Sequence, residues 1–415
     1  MGGVEFGREI PIVNHYFLDA SIYLGGGGGA GQVPGDGLTS RARLGLGRHL
    51  NQWGLSGWDV LVGVGRLNVR GSSIHANSLE LMFQRRFDLG IRTGESRAGS
   101  YFSAVAPAKV SLAAVRPRFA RYSVAGSSVG SVDTLGVEVE FDLDSSVWHP
   151  LVKTMGAARG NAQGYADWTV GARRYAAIGS TGLSAYVDLG LGTGGGGGLA
   201  SGSGLLAQVG GGLQLKLAKP WALHLETGRL QSQGSFKANY LGVALNWQDE
   251  GRSTPGAAQG AELARGPQAW SVRASVSQLS GNARLRQAAP ANISDIQTMD
   301  LQFERQAGAK AYLAGKASTA MLGQAGGFQA GLLGVGWREP ILGWVLNPEV
   351  MVGVAGGGGV ATQGGSIASW QLNLGRPISS SSEWTVGLGK MMALRRGGMD
   401  STTVMLGLTQ HFETR

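Results

Sequence analysis

His224 and Glu226 stand two residues apart in "WALHLETGRL", a spacing that puts an imidazole and a carboxylate on one face of an extended strand, where they could share acid and base work. The other histidines, His15, His49, His75, His149 and His411, show no close ligand spacing such as H-x-x-x-H, and the chain has no cysteine, so no metal site is expected. Glycine runs at Gly25 to Gly29, Gly194 to Gly198 and Gly356 to Gly359 raise the question of a phosphate-cradling loop. Such a loop needs Lys and Ser or Thr opening a helix, whereas Ala30, Leu199 and Val360 follow here with no helical pattern. No G-x-S-x-G elbow lies in a strand-to-helix setting. The chain is therefore read as a non-enzyme with no catalytic residues and no cofactor, and the His224 and Glu226 pair as polarity lining a larger structure. An envelope enzyme acting on lipids through an exposed His and Ser is the weaker alternative.

Charge is patterned more than it is clustered. From Leu135 to Asp144, Glu138, Glu140, Asp142 and Asp144 share one strand face against Leu135, Val137, Val139, Phe141 and Leu143. Arg116 and Arg118 share a face on the preceding segment, as do Arg41 and Arg43 earlier, and Lys216 closes a polar face with Gln208 and Gln214. Acidic and basic rows on neighbouring strands can pair across a water-filled interior. Adjacent arginines, Arg85 with Arg86, Arg173 with Arg174 and Arg395 with Arg396, point to opposite faces, and one of each pair is expected at a membrane boundary or loop.

These rows need strands to carry them, and composition agrees. Among 415 residues, 72 are glycine, 43% are hydrophobic and 15% are charged, which excludes a disordered chain and a charged helical bundle. No apolar stretch reaches the roughly 20 residues of a spanning helix, and the opening "MGGVEFGREI" lacks signal-peptide regions, so an exported chain would have lost its signal or carry it outside this sequence. The formal net charge of +9 favours anionic partners such as lipopolysaccharide phosphates or acidic polymers. Basic residues are rarely interleaved with aromatics, so no specific nucleic-acid binding is expected.

The glycine runs recur at roughly 165-residue spacing, and their surroundings recur with them. "WDVLVGVGRL", "WALHLETGRL" and "WTVGLGKMMAL" follow in the same order, and the series close on "SLELMFQRRF", "YLGVALNW" and "VMLGLTQHF". Repeat units of approximately 1–87 (partial), 88–248 and 249–415 result, within one barrel spanning 1–415. Inside them the period is two: Leu205, Ala207, Val209, Leu213 and Leu215 oppose Gln208, Gly210, Gly212, Gln214 and Lys216. About eight such strands per full unit gives roughly 20 in all.

Two-faced strands in such number must either pack face to face or turn their apolar side into lipid, and barrel closure removes the exposed edges. In this the chain resembles the bacterial outer-membrane β-barrel proteins. Its end, "TTVMLGLTQHF", sets Val404, Leu406, Leu408, Gln410 and Phe412 on one phase, similar to the aromatic-terminated closing strand that the barrel-assembly machinery of that class recognises.

The expected fold is all-β: a large antiparallel meander forming a transmembrane β-barrel of about 20 strands built from internal repeats, in the outer membrane with lipid bilayer and lipopolysaccharide around it. The expected function is a porin-like or export conduit for anionic solutes or polymers. Arg41, Arg43, Arg116, Arg118, Lys216, Glu138, Glu140, Asp142 and Asp144 would line its lumen and set selectivity. So wide a lumen would leak, which calls for a plug, lipoprotein or secretion partner. Two alternatives stand beside it: a non-conducting scaffold or adhesin with partner-binding loops, and a soluble multidomain protein in which each eight-stranded unit is a separate small barrel or sandwich.

Overall fold

The computed structural model describes residues 2–26, 35–53, 57–85, 87–88, 92–93, 96–97, 108–143, 146–179, 182–202, 204–217, 221–247, 268–281, 285 and 295–414. β1 (Gly2–Val13), β2 (Tyr16–Gly26), β3 (Leu38–His49), β4 (Trp58–Val69) and β5 (His75–Arg85) form a five-stranded antiparallel meander. The short strands β6 (Phe87–Asp88), β7 (Arg92–Thr93) and β8 (Ser96–Arg97) follow.

The second sheet runs through β9 (Ala108–Val124), β10 (Ser131–Leu143), β11 (Trp148–Arg159), β12 (Ala166–Ile178), β13 (Leu183–Gly195), β14 (Leu205–Lys216), β15 (Trp221–Ser232) and β16 (Lys237–Trp247). β9 pairs with β10 on one side, Arg116 opposite Glu138, and with β16 on the other, Tyr122 opposite Tyr240, so eight strands close into a barrel. The third sheet comprises β17 (Gln268–Gly281), β18 (Ile296–Gln306), β19 (Ala311–Leu322), β20 (Gln329–Trp337), β22 (Trp344–Gly356), β23 (Ser366–Pro377), β24 (Ser382–Ala393) and β25 (Asp400–Thr414), with the short β21 (Glu339–Ile341) hydrogen-bonded to β22. β25 returns to β17, Leu408 opposite Ala274, and closes a second eight-stranded barrel.

Among the described residues the expected single sheet of about 20 strands does not form; the ladders close on themselves twice, in separate barrels as in the soluble multidomain alternative, but with apolar faces outward. Alternation fixes which face of a strand is apolar and leaves open how many strands pass before the ladder meets its start. Eight strands enclose an interior that side chains just fill, and large inward residues fill it here.

Both barrels point apolar side chains outward: Val187, Leu189 and Leu191 on β13, Val386 and Leu388 on β24, and Val404, Leu406 and Leu408 on β25 are all exposed. The two ends of the sheets differ. Nine of the eleven tryptophans, Trp53, Trp58, Trp148, Trp221, Trp247, Trp270, Trp337, Trp344 and Trp384, fall at one end, next to the β10–β11, β14–β15 and β23–β24 turns and their counterparts. The glycine runs fall at the other.

At that glycine end the turns fold over the barrel mouths. Ala162, Leu199 and Phe236, each from a different turn, pack with Tyr122, Val132, Leu206 and Leu230 as an apolar cap on the first barrel. Leu285, Ala325, Val360 and Met399 do the same with Leu279, Ile296, Ile367 and Met391 on the second. The runs make these caps. Gly196, Gly197 and Gly198 have φ of +92, +58 and +73°, and Gly357, Gly358 and Gly359 have +88, +58 and +68°. Leu199 N donates to Gly196 O and Val360 N to Gly357 O, both at 3.1 Å. A Cβ on Gly197 would run into Ala162 O and one on Gly358 into Ala325 O, so two constraints select glycine at each.

The units touch at the glycine end. Ser366 Oγ donates to Ala158 O at 2.6 Å and Gly364 N to Gln163 Oε1 at 3.2 Å, joining the barrels, while Gly326 N donates to Gly35 O at 3.2 Å, joining the five-stranded sheet to the second barrel.

Candidate functional site: the barrel interiors

Below the apolar cap the first barrel is filled by charge. Pairing puts Glu138 of β10 between Arg116 of β9 and Lys153 of β11, and Arg173 of β12 opposite Asp188 of β13. All face inward because each lies on the phase opposite the exposed apolar residues. Arg116 Nη1 donates to Glu138 Oε1 and Glu140 Oε2, both at 2.6 Å, and Tyr175 OH donates to Glu140 Oε2 at 2.8 Å. Lys153 Nζ donates to Asp188 Oδ2 at 2.6 Å.

Arg173 is the hub. Its guanidinium is forked onto Glu138, Nη1 to Oε1 at 2.7 Å and Nη2 to Oε2 at 2.8 Å, and onto Asp188 on its other edge. The Tyr186 ring lies 4.1 Å from its Cζ, and the residue is 1% exposed. Since β10 and β12 are not neighbours, this fork crosses the interior instead of running along the wall. Arg118 forms a further pair with Glu226.

The second barrel repeats the principle with other residues. Arg273 of β17 donates to Glu304 Oε1 at 2.5 Å and to Glu349 of β22, which also accepts from Tyr312 OH at 2.5 Å; Lys316 meets Asp300 at 3.1 Å.

The expected lumen residues fall in two separate places. Arg116, Arg118, Glu138 and Glu140 meet inside the first barrel, with Asp142 near its mouth, where Oδ1 lies 2.9 Å from His149 Nδ1. Lys216 is half-buried at the tryptophan end of β14. Arg41 and Arg43 belong to the five-stranded sheet, beside Glu5, Asp19 and Glu80. Asp144 lies outside the described residues. No shared lumen brings the two groups together. Arg173 and Arg174 point to opposite faces as expected: Arg173 is buried in the core and Arg174 is the exposed member of the pair. Lys153, Asp188, Arg273, Glu304 and Glu349 stand as isolated charges within apolar segments of the sequence; reading every inward phase in register with its neighbour finds them.

His224 and Glu226 share a face as expected, but both are buried inside the barrel, Glu226 is engaged by Arg118, and neither His224 ring nitrogen has a protein partner. Gln214 and Asn246 are buried near it, with side-chain amides likewise lacking a hydrogen-bond partner. Two carboxylate groupings come close enough to suggest a cation, Glu138 with Asp188 and Glu226, and Glu140 with Asp142 and His149. In the first, the oxygens are already taken by Arg116, Arg173, Lys153 and Arg118. In the second, Arg116 holds Glu140.

Outside the barrels, an open cavity of about 380 Å³ lies where they meet at the glycine end, lined by Gly160, Asn161, Gln163, Gln363, Gly364, Arg395 and Arg396.

No protein-family model and no curated protein matches the chain. Solved structures do. OprB of Pseudomonas putida aligns over 96% of this chain and 94% of its own at 9% identity, with a TM-score of 0.28. The outer membrane channel DcaP of Acinetobacter baumannii aligns over 99% and 97% at 8% identity and TM-score 0.23, and the KdgM porin over 72% and 98% at 5% and 0.18. The likeness is to bacterial outer-membrane channels. At these scores the overall shapes do not superpose.

Proposed function

We propose that the chain is a bacterial outer-membrane protein whose two complete barrels form a closed, non-conducting framework that presents its glycine-end turns and the cleft between the barrels to an external partner. The observation that carries this is Arg173, buried and forked onto Glu138 and Asp188 across the first barrel beneath an apolar cap. A lumen so filled has no room for a hydrated solute.

Placement in a membrane is supported by the outward apolar faces, by strands of eleven residues or more in most of the wall, and by the tryptophan-rich end, since aromatic residues favour the bilayer interface. Within each barrel the hairpin turns at the tryptophan end are short, such as 217–220, 307–310 and 378–381, whereas the glycine end carries 196–204 and 357–365; the connections between units, such as 248–267, start and finish at the tryptophan end. Short turns on the periplasmic side and longer loops outside put the glycine end at the cell exterior. There Arg395 and Arg396, exposed at the junction cavity, suit the phosphates of lipopolysaccharide. The correspondence of the glycine turns in both barrels is accounted for by duplication of an eight-stranded unit.

A conduit is the second reading, favoured by the buried polar groups of Gln214, His224 and Asn246 that lack hydrogen-bond partners. Planar-bilayer recording separates the two. The unaltered protein is expected to give no ionic steps, and reproducible steps would replace the framework reading with the conduit.

A further inference from the structure

The cavity where the barrels meet is built by three turns. Asn161 and Gln163 come from the β11–β12 turn of the first barrel, Gln363 and Gly364 from the β22–β23 turn of the second, and Arg395 and Arg396 from its β24–β25 turn. Adjacent arginines on a strand would point to opposite faces. These two lie beyond the end of β24, in a turn, and both line the cavity. The turn is held in place by Gly398 N donating to Arg395 O at 3.3 Å and by Gln363 Nε2 donating to Gly397 O at 3.4 Å.

The seam beside the cavity is fixed by the protein's own contacts. Gln163 reaches from the first barrel to the second, its Oε1 accepting from Gly364 N at 3.2 Å and its Nε2 donating to Val360 O at 3.4 Å. Gly364 has φ of +103°, and a Cβ there would stand 3.0 Å from Arg395 Nη1, so the guanidinium lies over the backbone that carries this bond. Gly164 and Gly356 meet so closely that a Cβ on the latter would run into the former.

Positive charge at the cavity is left unbalanced. Arg395 and Arg396 are exposed, and among the described residues neither is paired with a carboxylate. The acids on the flanking strands are engaged elsewhere, Asp133 of β10 by Arg121 and Asp400 of β25 by Lys390.

The lining selects the chemistry of what can bind. It contains no apolar or aromatic side chain, so an acyl chain or a stacked base has nothing to rest on. Two guanidiniums suit the oxygens of a phosphate, and each side-chain amide carries a donor and an acceptor, which neighbouring sugar hydroxyls match. The volume of about 380 Å³ lies at the small end of the range for small-molecule sites, about 300–1,000 Å³, which is room for a single sugar with its charged group.

We propose that the junction cavity binds a phosphorylated sugar, with the phosphate on Arg395 and Arg396 and the hydroxyls on Gln363 and on Asn161 of the other barrel, so that one ligand touches both barrels. Presentation of the cleft to the cell exterior rests on the framework reading above; the binding chemistry does not. Free sugar phosphates and the phosphorylated sugars of lipopolysaccharide carry the same group.

The test titrates the full chain with glucose 6-phosphate by calorimetry, in polyoxyethylene detergent micelles that hold neither sugar nor phosphate. Saturable binding is expected, about tenfold or more tighter than that of glucose or inorganic phosphate, each of which supplies only part of the contacts. Arg395→Gln with Arg396→Gln is expected to weaken it about tenfold or more, and Asn161→Ala about threefold to tenfold. All three positions are exposed turn residues, and unchanged circular dichroism and thermal unfolding check that the variants fold. No saturable binding, triglutamate or inorganic phosphate binding as tightly as glucose 6-phosphate, or unchanged affinity in either variant would each overturn the proposal. Lipopolysaccharide added to the loaded protein identifies the source within the proposal: displacement points to the lipid-borne sugar and retention to the free one. Bilayer recording of the same preparations bears on the framework reading alone, so a conducting protein that binds glucose 6-phosphate keeps this site and loses that reading.

Discussion

Arg173 and Asp188 face each other on β12 and β13 and are joined by two hydrogen bonds, Nε to Oδ1 at 2.6 Å and Nη2 to Oδ2 at 2.9 Å. The same guanidinium holds Glu138 from the far side of the interior. Removing it leaves Arg116 on Glu138 and Lys153 on Asp188, but one carboxylate charge of the cluster uncompensated out of reach of water. Arg173→Ala is therefore expected to lower unfolding free energy by about 3–5 kcal/mol, the range for stranding a buried charge. Urea titration of the refolded protein in lipid vesicles reads this directly; an unchanged midpoint would mean the interior is wet enough to solvate both acids.

The glycine caps make a separate prediction. Gly197→Ala and Gly358→Ala each impose a side chain on a left-handed backbone and on a carbonyl of the adjacent turn. Gly126, at φ +64° in the β9–β10 turn, has open space where its Cβ would stand and serves as the control. The conformational part alone costs about 1–2 kcal/mol, so Gly126→Ala shows that much and the cap variants exceed it. Thermal unfolding of the three variants side by side checks the order, and equal losses would remove the packing role of the runs.

Outward residues should behave as lipid-facing ones. Leu189 lies mid-strand on β13 and Leu215 at the tryptophan end of β14, both exposed. Arginine costs about 2–4 kcal/mol at the bilayer midplane and roughly 0–1 near an interface, so Leu189→Arg is expected to destabilise vesicle-inserted protein far more than Leu215→Arg. In a water-soluble arrangement both substitutions would be nearly neutral.

What was legible in the sequence follows from what a strand encodes locally. Val209, Leu213 and Leu215 on one phase and Gln208, Gln214 and Lys216 on the other give the outward and inward faces of β14 correctly. The glycine runs were rightly placed at a strand-to-turn junction. Closure was not legible, because the pairing of Tyr122 with Tyr240 joins residues more than a hundred positions apart and no local pattern announces it. Arg173 was missed for a related reason. Beside Arg174 it looks like half of a surface pair, and only the positions of Glu138 and Asp188 on other strands show that it fills a core. The inward Leu206, a break in the polar phase, was the trace of the apolar cap.

Because nine of eleven tryptophan positions fall at one end of the sheets, the protein carries a built-in optical marker of height. In a chain inserted as proposed, its ultraviolet emission would report mainly on a single leaflet. Bromine placed at successive depths along lipid tails would dim that light in one layer and barely touch it in the other, so the direction in which the chain has entered a vesicle can be read without any attached dye.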